Sequence, residues 1–212
     1  MKVLVVGCNG QLGHDMLDAA QGKGLESGGT DVPDVDLVDA DSVEAMFERH
    51  RPRLVINCAA YTAVDECESN SQKAFQINDT GVANLAEAAA SAGARVVHIS
   101  TDYVFDGTKT EPYTEADEPN PITVYGKSKL AGERRLARLC PNHQTFRIAW
   151  LYGTHGINFP KSIAQHARRL AAGNAPLRVV NDQRGTPTCT LDVCRQVLAM
   201  IDKDQTGLFH CT

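Results

Sequence analysis

Apolar runs rich in β-branched residues punctuate the chain at Val3 to Val6, Leu54 to Ile56, Val96 to Ile99 and Phe146 to Ala149, separated by stretches long enough for helices. Apolarity at nearly every position, rather than every second one, marks strands buried on both faces. Their alternation with helical patterns predicts a parallel sheet with right-handed crossovers and helices on both sides. Helices are expected from about Gln11 to Ala20, Asp41 to His50, Ser71 to Ala92, Thr123 to Leu139, Asn158 to Ala172 and Leu191 to Ile201. Asp41, with Glu44 three residues on, reads as a capping pair for the second of these. Ser91-Ala92-Gly93 reads as the stop of the Ala-rich third. Between Gly22 and Val38 glycine and aspartate dilute the pattern, leaving room for a short second strand over Gly28 to Val32.

A length of 212 residues suits one well-buried domain with a small appendage. From about Thr154 the connections carry more Pro, Gly and Asn, which divides the chain into a main α/β domain over residues 1–153 and a smaller lobe over 154–212, interleaved with it. No repeat of fixed period is present.

Composition then removes several classes of function. Hydrophobic residues at 42% and charged residues at 22% are those of a globular chain. A net charge of −5, with no run of Lys or Arg beyond two residues, lacks the footprint of nucleic-acid binding. No apolar stretch reaches the roughly 20 residues of a membrane span, and Met1-Lys2 leads directly into a strand-like run without signal-peptide anatomy. A cytoplasmic protein with no membrane or nucleic-acid partner is expected. The seven Cys include no Cys-x-x-Cys pair and the seven His no His-x-x-x-His, so neither a disulfide framework nor a catalytic metal is expected.

Gly7, Gly10 and Gly13 follow the first strand and open the first helix, with Asn9, Gln11 and Leu12 along the turn. Glycine is needed there for a tight turn, for close approach to a pyrophosphate and for helix-on-strand packing, while the helix N-terminus offers amides to phosphate. Three such glycines can also serve packing alone. Asp31 lies 18 residues past Gly13, close to the roughly 20 expected of an acid that bonds an adenosine ribose; a solvated loop Asp is the alternative.

Tyr125 and Lys129 are four apart in a helical pattern, hence on one face. A free phenol, with a pKa of about 10, is a poor proton donor or acceptor near neutrality, and a neighbouring ammonium can lower it by roughly 1–3 units, making Tyr125 a general acid. Ser100, Thr101, Asp102 and Tyr103 end the strand at Ile99, and strand ends collect ligands in open α/β sheets. The hydroxyls of Ser100 and Thr101 can instead serve a turn, and Trp150, at another strand end, can stack on a ligand or fill the core.

Together Gly7-Cys8-Asn9-Gly10-Gln11-Leu12-Gly13, Asn57-Cys58-Ala59-Ala60-Tyr61-Thr62-Ala63-Val64-Asp65, Ser100-Thr101-Asp102-Tyr103-Val104-Phe105-Asp106-Gly107 and Tyr125-Gly126-Lys127-Ser128-Lys129 resemble the extended short-chain dehydrogenase/reductase family, and within it the branch that reduces dTDP-4-dehydrorhamnose. The likeness continues through Asn181-Asp182-Gln183-Arg184-Gly185-Thr186-Pro187-Thr188. It implies a Rossmann-type doubly wound parallel sheet with a small, incomplete C-terminal substrate lobe, and NADPH or NADH as cofactor. The reaction implied is reduction of the C4 carbonyl of dTDP-6-deoxy-L-lyxo-4-hexulose to dTDP-L-rhamnose, a nucleotide-sugar step of cell-surface polysaccharide synthesis. By resemblance Tyr125 protonates the carbonyl oxygen, Lys129 lowers the Tyr pKa and holds the nicotinamide ribose, and Thr101 polarises the carbonyl. Gly10, Gln11 and Leu12 would hold the pyrophosphate, Asp36 and Leu37 the adenine, and Ala59, Ala60, Tyr61 and Thr62 the middle of the cofactor. Ile99 and Ser100 would pass beneath the nicotinamide, while Thr101, Asp102, Tyr103, Trp150 and Gln183 would face the dTDP-sugar.

Family members continue with a further helix and strand beyond the strand matching Gly207 to Cys211, which implies that these residues hold part of the substrate lobe; a homodimer is a further expectation. Two alternatives are weighed. Dehydratases of the superfamily carry Glu after the Thr-Asp pair, where this chain has Tyr103, so a reductase is favoured over a dehydratase or epimerase. The other is a non-catalytic dinucleotide-binding subunit like that of methionine adenosyltransferase, against which the presence of Thr101, Tyr125 and Lys129 argues.

Overall fold

The computed structural model describes residues 2–172, 176–203 and 205–212. Met1, at the head of the expected main domain, and residues 173–175 of the Gly- and Asn-bearing stretch lie outside them. Strands β1 (Lys2–Val6), β2 (Glu26–Thr30), β3 (Leu54–Asn57), β4 (Arg95–Thr101), β5 (His143–Ile148) and β8 (Gly207–His210) form one sheet in the order β2-β1-β3-β4-β5-β8. All five pairings in it are parallel. Order reverses between β1 and β3, which makes the sheet doubly wound and opens a crevice at the carboxyl ends of those strands.

Successive side chains of a strand point to opposite faces, and two cores result. Val3, Val5, Ile56 and Phe146 pack on one face against Leu12 and Met16 of α1 (Gln11–Gly22) and Val193 and Val197 of α8 (Thr190–Ile201). Leu4, Val6 and Val55 pack on the other against α2 (Ala40–His50), α5 (Gly81–Ser91) and α6 (Val124–Leu139), through Met46, Leu85 and Leu136. Each core draws on both halves of the chain. β6 (Leu151–Tyr152) and β7 (Thr188–Cys189) pair in a small parallel ladder, and α7 (Phe159–Ala172) lies between them in sequence. Around α7 the large apolar residues Ile157, Phe159, Val179 and Val180 are exposed.

Two local expectations need correction, and one helix was not anticipated. Asp41 does not cap α2; the chain leaves helical geometry at Asp39, whose carboxylate accepts from the Asp41 amide. The helix expected over Ser71 to Ala92 is three pieces, α4 (Ser71–Phe75), a π-helical turn over Gln76–Thr80 and α5. A short helix without an anticipated pattern, α3 (Val64–Ser69), precedes it. The stop at Gly93 is as expected, in the left-handed conformation at φ +63°.

Candidate active site

At the carboxyl end of β1, Gly7 adopts φ +78° and any side chain there would strike the Ala59 backbone; a Cβ on Gly13 would run into the Gly7 carbonyl. Gly10 precedes α1 at the capping position and offers no side-chain cap, so the first amides of the helix keep free hydrogen-bonding capacity toward an anion. The cradle therefore fits a dinucleotide pyrophosphate. Asp31, just beyond β2, accepts from the Asn9 amide at 3.0 Å and the Val32 amide at 2.8 Å, which places it against the glycine turn. Asp36 accepts from the Val38 amide. Asn84 of α5 donates to the Leu37 and Val38 carbonyls, and the Leu37 side chain is buried in the core beneath. Leu12 likewise turns its side chain into the core, while Gln11 donates to the Leu151 carbonyl and accepts from Asn158 at 2.8 Å.

Past β3, Asn57 accepts from the Ala59 amide. Ala60 and Thr62 lie on either side of Tyr61, whose backbone is clasped by Asn78: the Asn78 side chain accepts from the Tyr61 amide at 2.8 Å and donates to its carbonyl at 3.0 Å. The same Nδ2 reaches Ser128 of α6 at 3.0 Å. Asn78 sits in the π-helical turn, so the local departure from α-helix aims a buried amide at this loop. Neither Asn78 nor Ser128 was singled out from sequence; only the position of Ser128 beside Lys129 hinted at a part for it.

β4 delivers Ile99, Ser100 and Thr101, followed by Asp102 and Tyr103 in a 3₁₀ turn. The Thr101 hydroxyl bonds the Asp102 carboxylate at 3.1 Å, and burial raises the Asp102 pKa. Tyr125 is buried beside Thr101 and meets the Tyr103 ring edge-on at 5.5 Å. Lys129 donates to the Ile99 carbonyl at 2.7 Å, with His98 Nε2 at 3.4 Å. Burial pushes the Lys129 pKa down to about 8, against the opposing charge of Glu133. The expectation that Lys129 lowers the Tyr125 pKa is corrected: burial dominates and raises it, and the ammonium is directed to Ile99 instead.

Thr101, Tyr125 and Lys129 thus meet at the end of β4, beside the glycine turn and the 59–62 loop across the β1–β3 crevice. Trp150 stands on the rim, 41% exposed at φ +41°, not in the core; Gly185 lies so close to its indole that a Cβ would collide with it. Gln183 is exposed two residues earlier in that stretch. His14 and Asp15 of α1 and His155, past β6, bring donor atoms within 4.8 Å of one another. The two rings stack at 3.7 Å and 17°, so their in-plane lone pairs run nearly parallel rather than converging on one ion.

A doubly wound parallel sheet, a glycine cradle at the first strand end and a Thr, Tyr and Lys set at the fourth define a dinucleotide-binding domain of the short-chain dehydrogenase/reductase class. A family model described as the RmlD substrate binding domain matches residues 1–212. The chain belongs to that family. It is 42% identical to a dTDP-4-dehydrorhamnose reductase of Sinorhizobium fredii, over 99% of this chain and 72% of that protein. A crystal structure of a dTDP-4-dehydrorhamnose reductase from Clostridium acetobutylicum superposes with a TM-score of 0.95 at 48% identity, covering 100% of this chain and 74% of that one. Another, from Bacillus anthracis in complex with NADP, gives 0.92 at 36% identity, covering 99% and 73%. Among the described residues no helix is long and apolar enough to cross a membrane.

Proposed function

We propose that this chain reduces the C4 carbonyl of dTDP-4-dehydrorhamnose to dTDP-L-rhamnose, with NADPH or NADH as the reductant. The observation that carries the reading is the meeting at the carboxyl end of β4 of Thr101 with buried Tyr125, which lies edge-on to Tyr103 and one helical turn from Lys129, itself bonded to the Ile99 carbonyl of the same strand. When bound, the nicotinamide supplies hydride to C4. Burial keeps Tyr125 a neutral phenol at neutral pH, the form that can give its proton to the carbonyl oxygen. The Thr101 hydroxyl, with its one proton, supports that oxygen, and Lys129 brings a cation to the same helix face. Asp31 faces the adenosine ribose, Gly10 and Gln11 the pyrophosphate, Asp36 and Leu37 the adenine, and Ala59 to Thr62 the middle of the dinucleotide. Trp150, Asp102, Tyr103 and Gln183 line the sugar side, and residues 154–212, which expose large apolar side chains around α7, hold part of a substrate lobe interleaved with the main domain.

Oxidation of NADPH or NADH followed at 340 nm, with enzymatically generated dTDP-4-keto-6-deoxy-L-sugar, tests the reading and ranks the two cofactors. Tyr125→Phe is expected to lower kcat by about 100-fold or more while leaving dinucleotide affinity within about threefold. Equal loss of binding would contradict the role assigned to the phenol. Clear dinucleotide binding without turnover calls for the same assay on a C-terminally extended chain: turnover regained there would assign the loss to missing residues, and continued absence would favour a non-catalytic binding module.

A further inference from the structure

Tyr125, Lys129 and Glu133 follow one another at four-residue steps along α6, so they share one face. The first two belong to the proposed reaction. Glu133, 7% exposed, accepts from the Ser100 hydroxyl on β4. It also holds the Arg147 guanidinium of β5 through both oxygens, at 3.0 and 2.7 Å. Arg147 lies 5.0 Å over the Phe105 ring. Ser100 immediately precedes Thr101, so one carboxylate joins the helix that bears Tyr125 and Lys129 to the strand that bears Thr101.

We propose that Glu133 is a positioning residue of this site: by bonding Ser100 and Arg147 at once it sets the Thr101 end of β4 against the Tyr125 and Lys129 face of α6. The inference rests on the reductase reading above. A buried ion pair is poor value as a stabiliser, because desolvation offsets its Coulombic gain and an apolar pair of similar volume does as well. What a bidentate pair adds is direction. Its place one turn from Lys129 adds a second effect, since its negative charge supports the ammonium against burial. The other groups acting on or touching Lys129 are neutral near pH 7. Burial holds the His98 imidazole of β4 well below its ordinary pKa and pushes the Cys58 thiol after β3 well above its own.

Three variants test the role: Glu133→Gln, the double variant Glu133→Gln with Arg147→Met, and Glu133→Asp. Gln alone strands a buried guanidinium and endangers folding; the double variant removes both charges, and Asp keeps both while withdrawing the carboxylate by one methylene. Each is checked by circular dichroism, then assayed for dinucleotide Kd and for kcat and KM from neutral to alkaline pH. The double variant is expected to keep Kd within about threefold and to lose kcat by about 10- to 100-fold, a cost typical of a small misplacement. Its basic limb should lie at lower pH than in the unaltered chain, because without the Glu133 charge Lys129 loses its proton earlier. Asp should lose kcat while holding the basic limb in place. A double variant, or an Asp variant, with unaltered kcat and basic limb overturns the proposal and leaves Glu133 as a structural partner of Arg147. Absence of turnover from the unaltered chain and from a C-terminally extended one would instead sink the reductase reading beneath it.

Discussion

Among the described residues Lys129 is the largest fully buried side chain, with an ammonium held by the Ile99 carbonyl. Its folded pKa of about 8 lies below its ordinary 10.5. The charged form is therefore disfavoured by folding, and the penalty is fully present below pH 8 and fades as pH rises from about 8 through 10.5. At 1.36 kcal/mol per unit the cost is about 3 kcal/mol, and leaving the Ile99 carbonyl without its donor costs about 1 kcal/mol. Lys129→Met is accordingly expected to gain about 2 kcal/mol of stability at neutral pH, measured by urea denaturation, while abolishing turnover. A variant less stable than the unaltered chain at pH 7 would refute this account of the buried cation. Tyr125 and Lys129 were legible as a pair because helical spacing alone puts them on one face. Where the ammonium points was not, since that depends on the Ile99 carbonyl, delivered by a strand 30 residues away in sequence.

At the scale of elements, the apolar pattern predicted most strands and helices, and the misses have local causes. Asp39 and Asp41 both lie at the start of α2, and a capping residue is chosen by where the backbone leaves helical angles rather than by residue type. Asp39→Ala is expected to cost about 1 kcal/mol and to lower Tm by about 2–4 °C, with kcat unchanged; calorimetry and the 340 nm assay check both, and Asp41→Ala should do less. The π-helical turn was invisible because one widened turn leaves the apolar pattern on either side intact. It nonetheless decides where Asn78 points, and through Asn78 the place of the Tyr61 backbone and of Ser128. The six residues of α3 are too few to show a period.

Across the whole molecule, segments far apart in the chain close on one another. Gln11, in the glycine turn, bonds Leu151 and Asn158, 140 or more residues on. A dinucleotide that orders the glycine turn is therefore expected to slow amide hydrogen exchange over residues 151–158 as well. Protection confined to the turn itself would show that the tie does not transmit. The sequence by itself determined the layered α/β architecture, since consecutive apolar residues demand burial on both faces. It also determined the dinucleotide cradle and the Tyr–Lys pair, since turn geometry and helical period are local. Only the tertiary structure decided the Ser100–Glu133–Arg147 junction, the clasp of Asn78 on Tyr61 and the rim position of Trp150. Each depends on strand order and on which helix covers which face, and no periodicity along a single chain encodes contacts between elements brought together only by folding.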